Sequence, residues 1–242
     1  MDLGLSGRVA VVTAASKGLG RASALALAAE GARVLVSARS ADLLDGVVGD
    51  VEAAGGEALA VPGDMTDPAT PARLVEAALE RWGRLDAVVG NAGGPPSGRA
   101  LDVDDDALLA AFGTNALASI RLARAAVPHM TERRWGRVVF IASASVKQPI
   151  GDLALSNTAR TALWAWTKTA AADVAASGVT INIAAPGLHA TDRLLERGVP
   201  AGARTGTPED FGKVVAFLCS EPAAFVNGTA VAVDGGATLG LL

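Results

Sequence analysis

Residues 136–171 read GRVVFIASASVKQPIGDLALSNTARTALWAWTKTAA. The run opens on a β-branched, apolar stretch of strand type, Val138 to Ala142. Small polar residues follow at Ser143 and Ser145, and a loop marked by Pro149 and Gly151 leads into a long helix that bears Trp164 and Trp166. Strand, serine, helix is the order in which an α/β protein brings side chains to the carboxyl edge of its sheet, where open α/β sheets bind ligands. On that helix Ser156 and Arg160 stand four residues apart and so share one face.

Upstream of this stretch the chain alternates strand and helix patterns. Arg8 to Thr13 reads as a buried strand, and Gly18 to Glu30 as a helix closed by Gly31. Arg33 to Ser37 is a second strand, followed by a helix over Ala41 to Ala54 that ends at Gly55-Gly56. Ala58 to Val61 is a third strand with the turn Pro62-Gly63-Asp64, then a helix over Pro68 to Trp82 stopped by Gly83, then a strand over Leu85 to Val89. Asp104 to Arg134 has the length for a helix of about eight turns. Downstream, Val179 to Ala184 and Thr229 to Val233 read as strands and Pro208 to Ser220 as a helix. Repeated βα units predict a parallel sheet covered by helices on both faces. With no linker or repeat, residues 1–242 read as one domain.

Composition excludes several classes of function. Half of the residues are hydrophobic, spread in short runs broken by Gly, Pro or charge, and none is long enough for a transmembrane helix. The opening MDLGLSGRVAVVT lacks the basic head and cleavage site of a signal peptide. A single cysteine, Cys219, makes no internal disulfide and fits a reducing cytoplasm. Net charge is −4 with acids and bases interspersed, so neither nucleic acid nor a membrane surface is expected as partner. The expected partner is a small-molecule substrate, and no residue is assigned to a metal.

The first strand–helix turn is Thr13-Ala14-Ala15-Ser16-Lys17-Gly18-Leu19-Gly20. Gly18 and Gly20 let the backbone approach a pyrophosphate at the helix N-terminus, where the dipole favours anions. At the end of the second strand, Val36-Ser37-Ala38-Arg39, no acid is present to hold a ribose 2′-hydroxyl. Arg39 and Lys17 instead offer two cations for a 2′-phosphate, which points to NADP(H) ahead of NAD(H). The bland alternatives are a tight turn without a ligand and an arginine lying over the sheet edge.

These motifs resemble those of the short-chain dehydrogenase/reductase family, the 3-oxoacyl-ACP-reductase-like kind in particular, over nearly the whole chain. The turn is similar to that family's Thr-Gly-x-x-x-Gly-x-Gly, with Ala14 in place of the first glycine. If that position demands a left-handed backbone, alanine costs roughly 1–2 kcal/mol there; if it does not, the change is nearly silent. The resemblance implies a Rossmann-type, doubly wound sheet of about seven strands. It implies that Asp64, beside Met65, contacts the adenine. It implies further that Asn91-Ala92-Gly93, matching Asn-Asn-Ala-Gly at three of four places, steadies the sheet and lies along the cofactor. Asn115 matches the asparagine that bends its helix and holds a water. Pro186, Gly187 and Thr191 match the loop at the nicotinamide end. A homodimer or homotetramer built on the helices through Asn115 and Trp164 is implied as well. Side chains two apart on a helix point to different faces, so Trp164 and Trp166 are not expected to face the same sheet, and one is expected to meet another subunit.

At the catalytic positions the match fails in part. Ser143 sits where the family has its serine, but thirteen residues on, Ser156 and Arg160 replace the tyrosine and lysine. The chain contains no tyrosine at all. Serine lacks a resonance-stabilised anion, and a guanidinium is a poor proton source. Three readings follow. One is an NADP(H)-linked oxidoreductase on a carbonyl/alcohol substrate, whose acid is water held by Ser143 and Ser156, or Lys147, Asp152 or His189. Another is a dinucleotide-binding protein without redox turnover, a sensor or structural partner. The last is a lyase or isomerase using the same pocket. His189 is expected as a surface loop residue before a catalyst, and His129 as a capping or packing residue. Residues 192–207 read as a short polar stretch, a reduced lid.

Overall fold

The computed structural model describes residues 1–240. The β-branched runs form β1 (Val9–Thr13), β2 (Arg33–Ser37), β3 (Ala58–Ala60), β4 (Ala87–Gly90), β5 (Gly136–Ile141), β6 (Val179–Pro186) and β7 (Ala230–Val233). They make one parallel sheet of seven strands in the order β3-β2-β1-β4-β5-β6-β7. The helices are α1 (Gly18–Ala29), α2 (Ala41–Ala53), α3 (Thr70–Trp82), α4 (Asp105–Phe112), α5 (Ala118–Glu132), α6 (Ala154–Val174), α7 (Asp192–Arg197) and α8 (Pro208–Leu218).

Alternation along each strand builds two apolar layers. Val9, Val11, Val138 and Phe140 enter the layer closed by α3, α5 and α6. Ala10, Val12, Val139 and Ile141 enter the layer closed by α1, α2 and α8. The strand order reverses at β1: the chain first runs outward to β2 and β3, then crosses back to β4. That reversal opens a crevice between the carboxyl ends of β1 and β4.

The stretch read as one helix from Asp104 to Arg134 departs from the expectation. It is α4, one π-helical turn over Gly113–Leu117, and α5. The Asn115 amide donates to the Ala111 carbonyl at 3.3 Å, competing with the backbone ladder at the widened turn. Residues 192–207 are not wholly irregular either. Thr191 caps α7 through a hydrogen bond accepted from Leu194 N, and acidic Asp192 and basic Arg197 lie at the favourable ends of its dipole. The tryptophans of α6 also differ from expectation. Trp164 and Trp166 flank the buried stripe of Leu163 and Thr167, and both pack half-buried against the same core layer. Trp166 lies 6.0 Å from the Phe140 ring. Residues two apart on a helix can both reach one layer when they straddle the buried line and are large.

Candidate active site

The crevice is stitched by Thr13, whose hydroxyl donates to the Asn91 carbonyl at 2.8 Å and accepts from the Asn91 N–H at 2.9 Å. Between them runs the turn into α1. Ala14 holds φ +46°, a left-handed conformation in a residue with a Cβ, so the cost of roughly 1–2 kcal/mol applies. A Cβ on Gly20 would stand 2.7 Å from the Asn91 amide nitrogen, so only glycine fits. Gly18 has φ +60°, and a Cβ there would be 3.5 Å from the Thr191 methyl. Thr191 therefore overhangs the glycine turn from far along the chain.

The N-terminus of α1 differs from those of α4, α7 and α8, which are capped by Asp104, Thr191 and Thr207. Lys17 at the α1 cap position offers no side-chain acceptor, and the first turn carries no acid. Ser16 and Leu19 are half-buried around it. Its free N–H groups and the adjacent glycines form an anion cradle with no internal anion, which fits the diphosphate of a dinucleotide. At the end of β2, Arg39 is exposed and makes no ion pair among the described residues. Asp64 accepts from the Thr66 N–H at 2.9 Å and the Thr66 hydroxyl at 2.8 Å. These bonds, with a smaller effect from the Arg39 charge, hold its carboxyl below the usual range. Met65 packs partly buried against the core, and Ala92 and Gly93 continue the loop from Asn91. Pro186 ends β6, and Gly187 lies where a Cβ would meet Asp234 at 2.7 Å.

At the carboxyl end of β5, Ser143 accepts from the Ser145 N–H at 3.1 Å and opens a short 3-10 turn. Ser156 and Arg160 are both 6 % exposed on α6. Arg160 Nη1 donates to the Ile141 and Ala142 carbonyls, each at 2.8 Å. This nitrogen is thus fixed on the strand end, leaving Nε and Nη2 as the donors it can offer elsewhere. Burial, and secondarily the charge of Arg193, push the guanidinium down to about 10. It remains charged at neutral pH. Asn115 is buried, and its Oδ1 has no hydrogen-bond partner among the described residues. The π turn that carries it packs against α6.

The three side chains expected as substitute acids fare differently. His189 is not on the surface. It is 6 % exposed, its ring stands edge-to-face with Phe211 with centroids 5.1 Å apart, and its Nδ1 lies 3.3 Å from the Gly187 carbonyl. Phe211 belongs to the layer under α8, so the imidazole packs into the core. Asp152 Oδ2 lies 3.8 Å from Arg197 Nη2. Lys147 follows the 3-10 turn half-buried, and its ammonium makes no hydrogen bond among the described residues.

Comparison with known proteins agrees with this architecture. A family model described as Enoyl-(Acyl carrier protein) reductase matches residues 13–238. The chain is 35% identical over 248 residues to Dehydrogenase/reductase SDR family member 4 of Oryctolagus cuniculus, covering 96% of this chain and 94% of that one. The chain belongs to the short-chain dehydrogenase/reductase family. It is also 34% identical over 241 residues to a 3-oxoacyl-[acyl-carrier-protein] reductase of Synechocystis, covering 96% and 97% of the two chains. Among solved structures, L-sorbose reductase from Gluconobacter frateurii with NADPH and L-sorbose superposes with TM-score 0.93 at 31% identity, over 100% of each chain. A 3-oxoacyl reductase from Agrobacterium tumefaciens with NADP bound gives TM-score 0.90 at 29% identity, over 97% of this chain and 95% of that one. Membership in this family makes the chain a short-chain oxidoreductase by descent. Among its described helices none is long and apolar enough to cross a membrane.

One residue at this site escaped the sequence reading. Arg193, in the first turn of α7, spans the cleft mouth and donates to the Gly94 carbonyl at 2.7 Å and the Pro95 carbonyl at 3.0 Å. Arg197 follows, donating to Ser97 Oγ at 2.6 Å. A lone arginine in a polar stretch carries no spacing signal. Only the chain crossing places it over the loop after β4.

Proposed function

We propose that the protein is an NADP(H)-linked oxidoreductase acting on a carbonyl/alcohol substrate, resembling 3-oxoacyl reductases, with a proton donor other than a phenol. The observation that carries this reading is the uncapped, acid-free start of α1, with Gly18 and Gly20 at the strand-order reversal and the cations Lys17 and Arg39 at its adenine side. Bound there, the dinucleotide supplies or takes up the hydride. Ser16, Lys17, Gly18, Leu19 and Gly20 would seat its diphosphate and Arg39 its 2′-phosphate, whereas Thr13, buried with its hydroxyl spent on Asn91, holds the turn in place and does not reach the cofactor. Asp64 and Met65 bound the adenine, and Asn91, Ala92 and Gly93 line the ribose. Pro186, Gly187 and Thr191 hold the nicotinamide end.

Arg160, anchored through Nη1, would offer its remaining donors to the nicotinamide ribose. Ser143 and Ser156 hydrogen-bond the substrate oxygen and hold a water that delivers the proton, with Asn115 Oδ1 as an acceptor behind it. Arg160 keeps its charge at neutral pH and orients without donating a proton. Lys147 is the alternative acid; His189 packs into the core and Asp152 pairs with Arg197. A second reading, cofactor binding without turnover, is favoured by one observation: Arg160 Nη1 is spent on the strand end rather than free in the pocket.

The test is NADPH oxidation with simple ketones, measured for the wild type and for the double variant Ser156→Tyr with Arg160→Lys. A positioned general acid contributes roughly 10²–10⁴-fold, so the double variant is expected to raise turnover by up to that factor. If the wild type already reduces ketones fast and Ser143→Ala, Ser156→Ala and Lys147→Ala each leave the rate unchanged, the mechanism is wrong. NADPH binding with no turnover by either protein would favour the second reading.

A further inference from the structure

Two arginines converge on the cleft mouth without an acid between them. Arg160 lies buried at the carboxyl end of β5, and Arg193, in α7, reaches over the loop that follows the adjacent strand β4. Neither makes an ion pair among the described residues; Glu196, in the same helix as Arg193, is its nearest influence of opposite sign. Carbonyl dipoles alone hold both: Ile141 and Ala142 for Arg160, Gly94 and Pro95 for Arg193. The fit at the mouth is close. A Cβ on Gly94 would stand 2.7 Å from Arg193 Nη2, so the guanidinium rests on a glycine that leaves it room. Arg160 is buried and Arg193 is exposed at the mouth, so an arriving anion meets the Arg193 guanidinium first, with the buried charge of Arg160 behind it.

We propose that the substrate carries a carboxylate, which Arg193 binds while the buried charge of Arg160 draws it in. This names the substrate class of the proposed oxidoreductase site and rests on that reading. The diphosphate of the cofactor already has its place at α1, which follows β1; Arg193 lies on the β4–β5 side, beside the reacting end. A guanidinium fork matches a carboxylate through two parallel hydrogen bonds, and Arg193 has donors left beyond its two carbonyl contacts. A neutral ketone or thioester would leave both charges uncompensated.

Calorimetry on the protein saturated with NADP⁺ tests this without turnover, because no hydride is available. The probes are pyruvate, acetoacetate and levulinate with their methyl esters. At least one acid is expected to bind roughly ten- to a hundredfold more tightly than its ester, the scale of a hydrogen-bonded ion pair. Arg193→Gln should abolish that preference, while Arg193→Lys retains part of it. Equal binding of acids and esters, no binding by any probe, or a preference that survives Arg193→Gln would each overturn the proposal. So would a loss of NADP⁺ affinity in Arg193→Gln with no acid preference, which would assign the charge to the cofactor diphosphate. Reduction of neutral ketones without acid preference would leave the oxidoreductase reading standing and remove this one. Acid preference without any turnover would do the reverse.

Discussion

Arg39 is exposed at the end of β2, without an ion pair among the described residues, and close enough to Asp64 to stabilise its carboxylate. It has no structural task that the fold would miss. Its removal should therefore act on cofactor choice alone. NADPH should bind more tightly than NADH, and Arg39→Ala should erase roughly ten- to a hundredfold of that preference by calorimetry, the scale of a charge-assisted hydrogen bond. Equal affinity of the wild type for both would refute it. His189 acts through stability instead. Burial holds its imidazole below the ordinary 6.5, outweighing the Gly187 carbonyl that works the other way. Folding thus favours the neutral ring. That contribution is complete above the unfolded value and is lost as pH falls below it toward the lowered folded value. Melting temperature should drop as pH falls below the ordinary imidazole value of about 6.5, ahead of the carboxylates, and His189→Gln should flatten that slope. An unchanged slope in the variant would place the acid sensitivity elsewhere.

Between elements, α1 and α8 make a close contact. A Cβ on Gly212 would stand 2.7 Å from the Ala22 carbonyl carbon, so the two helices meet backbone to backbone. Gly212→Ala should destabilise the protein by roughly 1–3 kcal/mol in urea unfolding, through overpacking rather than lost contacts. Because α1 also presents the anion cradle, the same variant should weaken NADPH binding; a variant as stable as the wild type would show that the helices part at little cost. The π turn is the other element-level device. It carries Asn115 into the interior beside α6 without breaking the helix, and it leaves the Oδ1 acceptor unpartnered, where a regular α-helix would have kept the register and turned the residue by a different angle.

At the scale of the molecule, the exposed apolar side chains gather partly on α4. Leu109 is 69% and Phe112 39% exposed, on the face away from the core. An apolar face left open on α4 is a surface that a second copy of the chain would cover. Light scattering at micromolar concentration should give a dimer or tetramer, and Leu109→Glu with Phe112→Glu should shift it toward monomer. A monomeric wild type would contradict this.

Sequence by itself determined the strands, most of the helices and the glycine turn, but not the π turn that splits α4 from α5, nor α7. Strand runs of β-branched residues and Gly or Pro breaks act over a few neighbours, so Val9 to Thr13, Val138 to Ile141 and the turn at Gly18 and Gly20 were legible in order. The absence of tyrosine was legible too, since counting needs no coordinates. Tertiary structure alone decided what lies across the cleft. Thr191 over Gly18, Arg193 over Gly94, and Arg160 against the end of β5 join positions far apart in the chain, and no local pattern encodes such a meeting. The inward turn of His189 against Phe211 belongs with them. A histidine in a loop reads as surface until the packing of α8 shows that the loop folds back, because burial is a property of the partners brought together and not of the residue.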